Sequence, residues 1–174
     1  MLVSDVYLEL FGRIPPLVRT VVDGLDATAL RQAPGPGTNP VGWLVWHLTR
    51  VQDHHVSELL DEPQLWVSGD WSARFGLTPD PWNLGFGHQP ADIATVRPES
   101  AEALIEYYDA VYARTGPLLE GLTPQALSEV VDDRWDPPVT LGVRLISVAD
   151  DSLQHVGQAA YVRGLIEQGW HIGY

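Results

Sequence analysis

The sequence predicts an all-α protein, a four-helix bundle with a long crossover between its second and third helices. Three observations carry that reading. Four separate stretches show apolar residues at helical spacing. The segments between them are dense in Pro, Gly and Trp. A 174-residue chain that is 45% apolar suits one sizeable core, so residues 1–174 read as a single domain.

The first stretch runs from Val3 to about Leu25, with Val6, Leu10, Ile14, Leu17 and Val21 in helical register. Pro15 and Pro16 interrupt it and predict either a kink or a split in two. QAPGPGTNP follows, and Thr38 and Asn39 ahead of Pro40 mark a capping residue with proline in the first turn. The second helix, VGWLVWHLTRVQDHHVSELL, reaches about Asp61. Residues 63–98 keep no period and predict a long connection with at most short helical turns, of the kind that often forms a lid or a pocket wall. The third helix spans about Glu99 to Leu122, with Ala103, Leu104, Tyr107, Val111 and Leu118 on one side. Between Thr123 and Val139 the sequence predicts a short turn or helix around PQALSEVV and then an extended piece, DDRWDPPV, whose Asp132, Asp133 and Arg134 read as a solvated turn. The fourth helix runs from about Thr140 to Gln168, with Gly169 as its C-cap.

Composition removes several chemistries. The net charge is −13 with no basic cluster, so a phosphate backbone or an anionic membrane surface would be repelled. All ten basic residues are Arg, which excludes a Schiff-base lysine. With no Cys there is no disulfide, no thiolate nucleophile and no Cys-based zinc site, so any metal must be held by His and carboxylates. No signal-peptide pattern and no apolar run of about 18 residues is present, and a soluble cytoplasmic protein is expected.

The chemical question sits in DDSLQHVGQAAY of helix four. At about 100° per residue, Val148, Asp151, Ser152, His155, Ala159 and Val162 share one sector, the face that should look inward, while Asp150 points away. Asp151 and His155 are thus within reach of one ion or simply of each other, and on spacing alone the local Asp–His pair that fixes the imidazole is the preferred reading. His47 lies on the apolar side of helix two, beside Leu44 and Val51, and is either a core histidine or the third ligand of a two-histidine, one-carboxylate site with open positions. His54 follows His47 by two turns, roughly 10 Å, too far to share its ion, which leaves it as a pocket-wall or second-site residue. His88, in the long connection, is either an exposed loop residue or a group that swings over the site, and Trp82 with its neighbours Trp71, Phe75 and Phe86 either packs the connection down or walls a pocket. Ser152 and His155 do not make a nucleophile pair, because a mid-helix Ser has no free backbone donors beside it for an oxyanion.

NPVGWLVWHLTRVQD in helix two, RFGL and GFGHQ in the crossover, and DDSLQHVGQAAYVRGLI in helix four resemble the DinB-like superfamily, which includes the mycothiol-dependent maleylpyruvate isomerases. The likeness covers nearly the whole chain, and WHL and QHxGQ are its most specific parts. It implies a four-helix bundle, often a homodimer, with a divalent metal held near one end by three side chains of helices two and four. Many members use three histidines; the isomerase type has a carboxylate in the middle. His47, Asp151 and His155 stand at those positions, with Asp a shorter carboxylate than expected. The implied activity is that of a divalent-metal enzyme, with zinc or else nickel, which uses mycothiol as cosubstrate in S-transfer to, or isomerisation of, a small molecule. The Arg-only, Gly- and Ala-rich composition favours mycothiol over bacillithiol. Arg50 or Arg74 would meet a carboxylate of thiol or substrate. The alternatives are a metal-dependent hydrolase and a metal-binding, stress-associated module without turnover.

Overall fold

A computed structural model describes residues 1–173; Tyr174, the last residue of the expected domain, lies outside them. Two helices open the chain, α1 (Val3–Gly12) and α2 (Ile14–Val22). Of kink and split, the chain takes the split, at Arg13, which puts Pro15 and Pro16 in the first turn of α2, where no intrahelical N–H is needed. A 3-10 turn at Ala29–Arg31 leads to α3 (Val41–Leu60). The expected cap does not form: the Thr38 hydroxyl bonds back to Gly35, and Pro40 is the N-cap without a side-chain hydrogen bond.

Every residue of α3 from Val41 to His54 is buried. A helix buried all round is the central post of a fold rather than one amphipathic wall, and α3 packs on its apolar sides against the two later long helices, Ala101–Glu120 and Leu141–Ile166, while the crossover covers the rest. That crossover carries three helical turns, α4 (Leu65–Ser68), α5 (Trp71–Arg74) and α6 (Pro90–Ile93). Trp66 and Phe75 fasten it, with ring centroids 5.6 Å apart and the Tyr107 ring 5.6 Å and 5.9 Å from them.

Next comes α7 (Ala101–Glu120), started by Ser100, whose hydroxyl accepts from the Ala103 N–H at 3.2 Å. Its buried face is the expected one, except that Leu119 takes the buried place and Leu118 is half-buried. A 3-10 turn at Ala126–Ser128 and a small antiparallel hairpin, β1 (Val130–Asp132) with β2 (Val139–Thr140), precede α8 (Leu141–Ile166). Thr140 caps α8. The helix stops at Ile166, short of the expected end, and Gly169, at φ +90°, serves a turn beyond it in which Trp170 lies 4.6 Å over the Arg163 guanidinium. The chain is therefore all-α apart from the hairpin, with α1 and α2 closing the packing against α7 and α8. Among the described residues no helix is long and apolar enough to cross a membrane.

Burial on all sides forces the polar residues of α3 to find partners inside. Asp53 accepts from the backbone N–H groups of Leu65 and Trp66 at 2.9 Å and 2.8 Å and from the Tyr107 hydroxyl at 2.7 Å. Arg50, 0% exposed, donates to Gln64, to Tyr107 and to the carbonyls of Asn83 and Pro81, and its guanidinium lies 4.7 Å over Trp66. The expectation that Arg50 meets a ligand carboxylate is thus corrected: its donors are engaged in pinning the crossover to α3. Asp53→Ala would strand the buried Arg50 charge, and urea unfolding should show a loss of about 3–5 kcal/mol; a loss under about 1 kcal/mol would contradict this role.

Candidate metal centre

The antiparallel contact of α3 with α8 brings His47 to Asp151 and His155. Asp151 Oδ1 lies 3.5 Å from His155 Nε2 and 3.9 Å from His47 Nε2. One donor atom from each residue falls within 4.8 Å of the others. His47 is 3% exposed, whereas Asp151 and His155 are half-buried, so the cluster is closed on the α3 side and accessible from the α8 side.

Both imidazoles are oriented from behind. His47 Nδ1–H donates to the Leu84 carbonyl of the crossover, and His155 Nδ1–H donates to the Gln158 side-chain oxygen at 2.8 Å. Each ring therefore carries its proton on Nδ1, and the Nε2 lone pairs turn toward Asp151. Asp151 Oδ2 is buried and has no hydrogen-bond partner among the described residues. An unpartnered buried carboxylate oxygen is costly, and a cation would satisfy it. Two neutral imidazoles and a carboxylate fit a divalent ion of the zinc type and leave coordination positions open.

A glycine makes this geometry possible. Gly85, at φ +102°, lies so close that a Cβ there would sit 2.7 Å from His47 Nδ1 and 2.9 Å from the Trp43 ring. Trp43 stacks on His47 with centroids 4.8 Å apart, and its indole N–H donates to His88 Nδ1 at 3.1 Å, while His88 Nε2–H donates to Asn83 Oδ1 at 2.9 Å. His88 is thus neither an exposed loop residue nor a fourth ligand; it is half-buried, with both nitrogens used to fold the loop over Trp43. Neither composition nor periodicity assigns these roles to Leu84, Gly85 and Gln158. Gln158 was within reach, since it stands one turn past His155 in QHxGQ, but a backbone carbonyl has no sequence signature.

The remaining candidates lie elsewhere. Arg74 pairs with Glu99 and Glu106. Trp82, 73% exposed, sets its ring 5.7 Å from His54 rather than at the cluster. His54, His55 and Glu58 form a second group of potential donors, but the Arg144 guanidinium lies 3.0 Å from His55 Nδ1, so a cation is already placed against that ring. The Ser152 hydroxyl is buried without a hydrogen bond to His155 or to any other described residue.

Two histidines and a carboxylate thus converge between two long helices of a mostly helical fold. The profile of the family described as mycothiol-S-transferase matches residues 16–168. The chain is also similar to a conserved protein from Enterococcus faecalis, known from its crystal structure, at 32% identity and a TM-score of 0.86, over 95% of this chain and 98% of that one. No curated protein matches. The chain belongs to the mycothiol-S-transferase family, and through it to the DinB-like proteins.

Burial lowers His47 below the usual histidine range despite the Leu84 bond and the Asp151 charge. Burial also acts to lower His155, but Asp151, which would accept from Nε2–H once the ring is protonated and whose charge favours that form, and Gln158 outweigh it and leave His155 raised. Burial likewise lowers His54 and His88, and burial together with Arg144 lowers His55 to about 4. Between the ordinary value of 6.5 and these lowered values the unfolded chain binds protons that the folded chain refuses, so stability is lost as the pH is lowered through that window. His155 has the opposite sign: its contribution is complete below 6.5 and is lost as pH rises through its raised value. The urea midpoint of chelator-treated protein is therefore expected to be lower at about pH 5 than at about pH 7, and an equal midpoint would contradict the balance. Gly85→Ala should weaken zinc binding by about 10–100-fold in a competitive chelator titration while the far-ultraviolet circular dichroism is kept; unchanged affinity would show that Leu84 does not orient His47.

Proposed function

We propose that the protein is a divalent-metal-dependent S-transferase that joins mycothiol to a small electrophile. The observation that carries the reading is the pair of Nε2 lone pairs turned toward Asp151, whose second oxygen is buried and unpartnered. Membership of the mycothiol-S-transferase family supports the thiol, and the absence of cysteine means that the thiol comes from outside the chain. His47, Asp151 and His155 would hold the ion. Zinc or another divalent ion bound there would supply a Lewis-acidic position that keeps a thiol sulfur deprotonated near neutral pH.

The chain's own contribution is orientation and exclusion of water. Leu84 and Gln158 fix the two imidazoles, Trp43 backs His47, and Phe86, edge-on to His47 with centroids 5.2 Å apart, stands at the mouth. In the transfer the thiol S–H bond and the bond from electrophile carbon to leaving group break, the C–S bond forms, and the proton departs with the leaving group. Because neither His54 nor His88 supplies a further ligand, the arrangement favours turnover over a closed structural metal.

On this reading α1 with α2, α3, α7 and α8 form one four-helix-bundle domain. The outer face of α8, where Val143, Ile146, Tyr161 and Leu165 are exposed within about 100° of arc, would pair two chains as a homodimer. The protein would work in the cytoplasm, where the small-molecule thiol is kept reduced.

With mycothiol and monochlorobimane, the zinc-loaded protein should form the thioether with release of chloride. His155→Ala should lower the rate by about 100-fold or more with the fold intact. The same rate in this variant, or after removal of the metal, would overturn the reading.

A further inference from the structure

One buried histidine of α3 lies outside the triad and is fastened to the crossover. Gln64, just ahead of α4, receives the Arg50 Nη2 donor at 2.9 Å on its side-chain oxygen. Its amide nitrogen reaches the Pro81 carbonyl at 3.2 Å and His54 Nδ1 at 3.0 Å. A guanidinium only donates and a carbonyl only accepts, so both neighbours fix the same orientation of the amide. His54 Nδ1 must then accept, which places the ring's proton on Nε2 and requires a neutral ring. Protonated His54 would set N–H against N–H. Turning the amide over would set its nitrogen against Arg50 and its oxygen against the Pro81 carbonyl, so one bad contact would be exchanged for two.

The same stretch of loop carries the carbonyl that orients His47. Arg50 donates to the carbonyls of Pro81 and Asn83, each at 3.2 Å, and Leu84 comes next, its carbonyl accepting from His47 Nδ1–H. His54, Gln64 and Arg50 therefore hold the loop one residue ahead of the bond on which the His47 tautomer depends.

The charges around His54 keep its ring neutral. Burial acts most strongly and lowers it; Glu58, with Oε2 3.6 Å from Nε2, acts to raise it, Arg50 and Arg144 to lower it and Asp53 to raise it. The neutral His55 ring lies 4.9 Å away. On the outer side Asp61, Glu62 and Arg134 line the groove that reaches His54, with Glu62 paired to Arg114 and Arg134 to Asp132. Asp132, read from the sequence as part of a solvated turn, is buried instead and also holds Arg144 at 2.7 Å. With these influences summed, His54 takes its proton only below the usual histidine range.

We propose that neutral His54 is a positioning residue for the metal centre, holding through Gln64 the stretch 80–84 that presents the Leu84 carbonyl to His47, and that protonation of His54 lets this stretch go. The inference rests on the reading of His47 as a metal ligand and adds an acid-sensitive latch to that site. Acid then weakens metal binding twice, once by protonating the ligands themselves and once by releasing the loop behind one of them.

The test compares native protein with His54→Asn, His54→Leu and Gln64→Ala, by hydrogen exchange of residues 80–88 and by competitive zinc titration, at about pH 7 and about pH 5. Asn supplies an acceptor where His has Nδ1 and does not titrate. After correction for the intrinsic effect of pH, acidification should quicken exchange in native protein at least about tenfold more than in His54→Asn, and zinc affinity should fall further in the native protein by a similar factor. At about pH 7 His54→Asn should hold the loop as the native protein does, whereas His54→Leu and Gln64→Ala should exchange fast and bind zinc about tenfold more weakly with circular dichroism kept. A merely structural role would lower stability in the variants and leave the same acid response in all of them. An acid response unchanged in His54→Asn, which would assign it to His88, would overturn the proposal. So would a His54→Asn loop already open at about pH 7, or native exchange and zinc affinity in both His54→Leu and Gln64→Ala. Exchange is read without thiol or electrophile, so this inference and the transferase reading fail separately.

Discussion

The hydrogen bond from His47 Nδ1–H to the Leu84 carbonyl joins the two halves of this protein's chemistry. On one side of it is α3, which carries the histidine; on the other is the crossover, which would otherwise be a long and costly loop. The bond fixes which nitrogen of His47 faces Asp151, and it needs the chain to pass His47 with no side chain in the way, which Gly85 provides. The loop is in turn held by Arg50, through the carbonyls of Asn83 and Pro81 on either side of Trp82, and by His88 folding back on Trp43. Orientation at the triad thus depends on a buried arginine on the neighbouring turn of α3.

That arrangement explains an otherwise expensive interior. Arg50, Asp53 and Tyr107 form a buried polar layer, and burying an ion pair gains little over packed apolar residues. Here its effect is to fix one conformation of the crossover. Asp53 accepts from the first two N–H groups of α4, and Arg50 donates to the carbonyls that follow, so the loop's backbone polar groups find partners inside the protein without a sheet or a long helix to supply them.

Much of this was legible in the sequence. The four helical stretches, the short turns of the crossover and a break in the first stretch at Pro15 and Pro16 follow from periodicity and from proline's missing N–H, though these do not tell a kink from a split. The inward sector of helix four, and with it the meeting of Asp151 and His155, follows from counting residues per turn. His47 needed more, because its helix is buried on every side and apolar periodicity cannot single out one face. For the same reason Arg50 was misread: a charged residue on a helix is ordinarily solvated, and nothing local shows that a distant loop will cover it. Asp132 was misread because Arg144, its second partner, lies twelve residues on, although Arg144 does fall on the helix face of Asp151 and could have been found by the same count. The helix cap at Pro40 departed from expectation because Thr38 had a nearer partner in its own turn.

The central claim is that His47, Asp151 and His155 together hold one divalent ion. The most direct measurement is metal content by mass spectrometry on untagged protein, native and Asp151→Ala, after reloading with zinc or nickel and removal of free ion. The account expects about one ion per native chain and a near-complete loss in the variant, since the carboxylate bridges the two imidazoles. Equal metal in both proteins, whether bound or absent, would contradict it and return the triad to a hydrogen-bonded cluster of the helix interface.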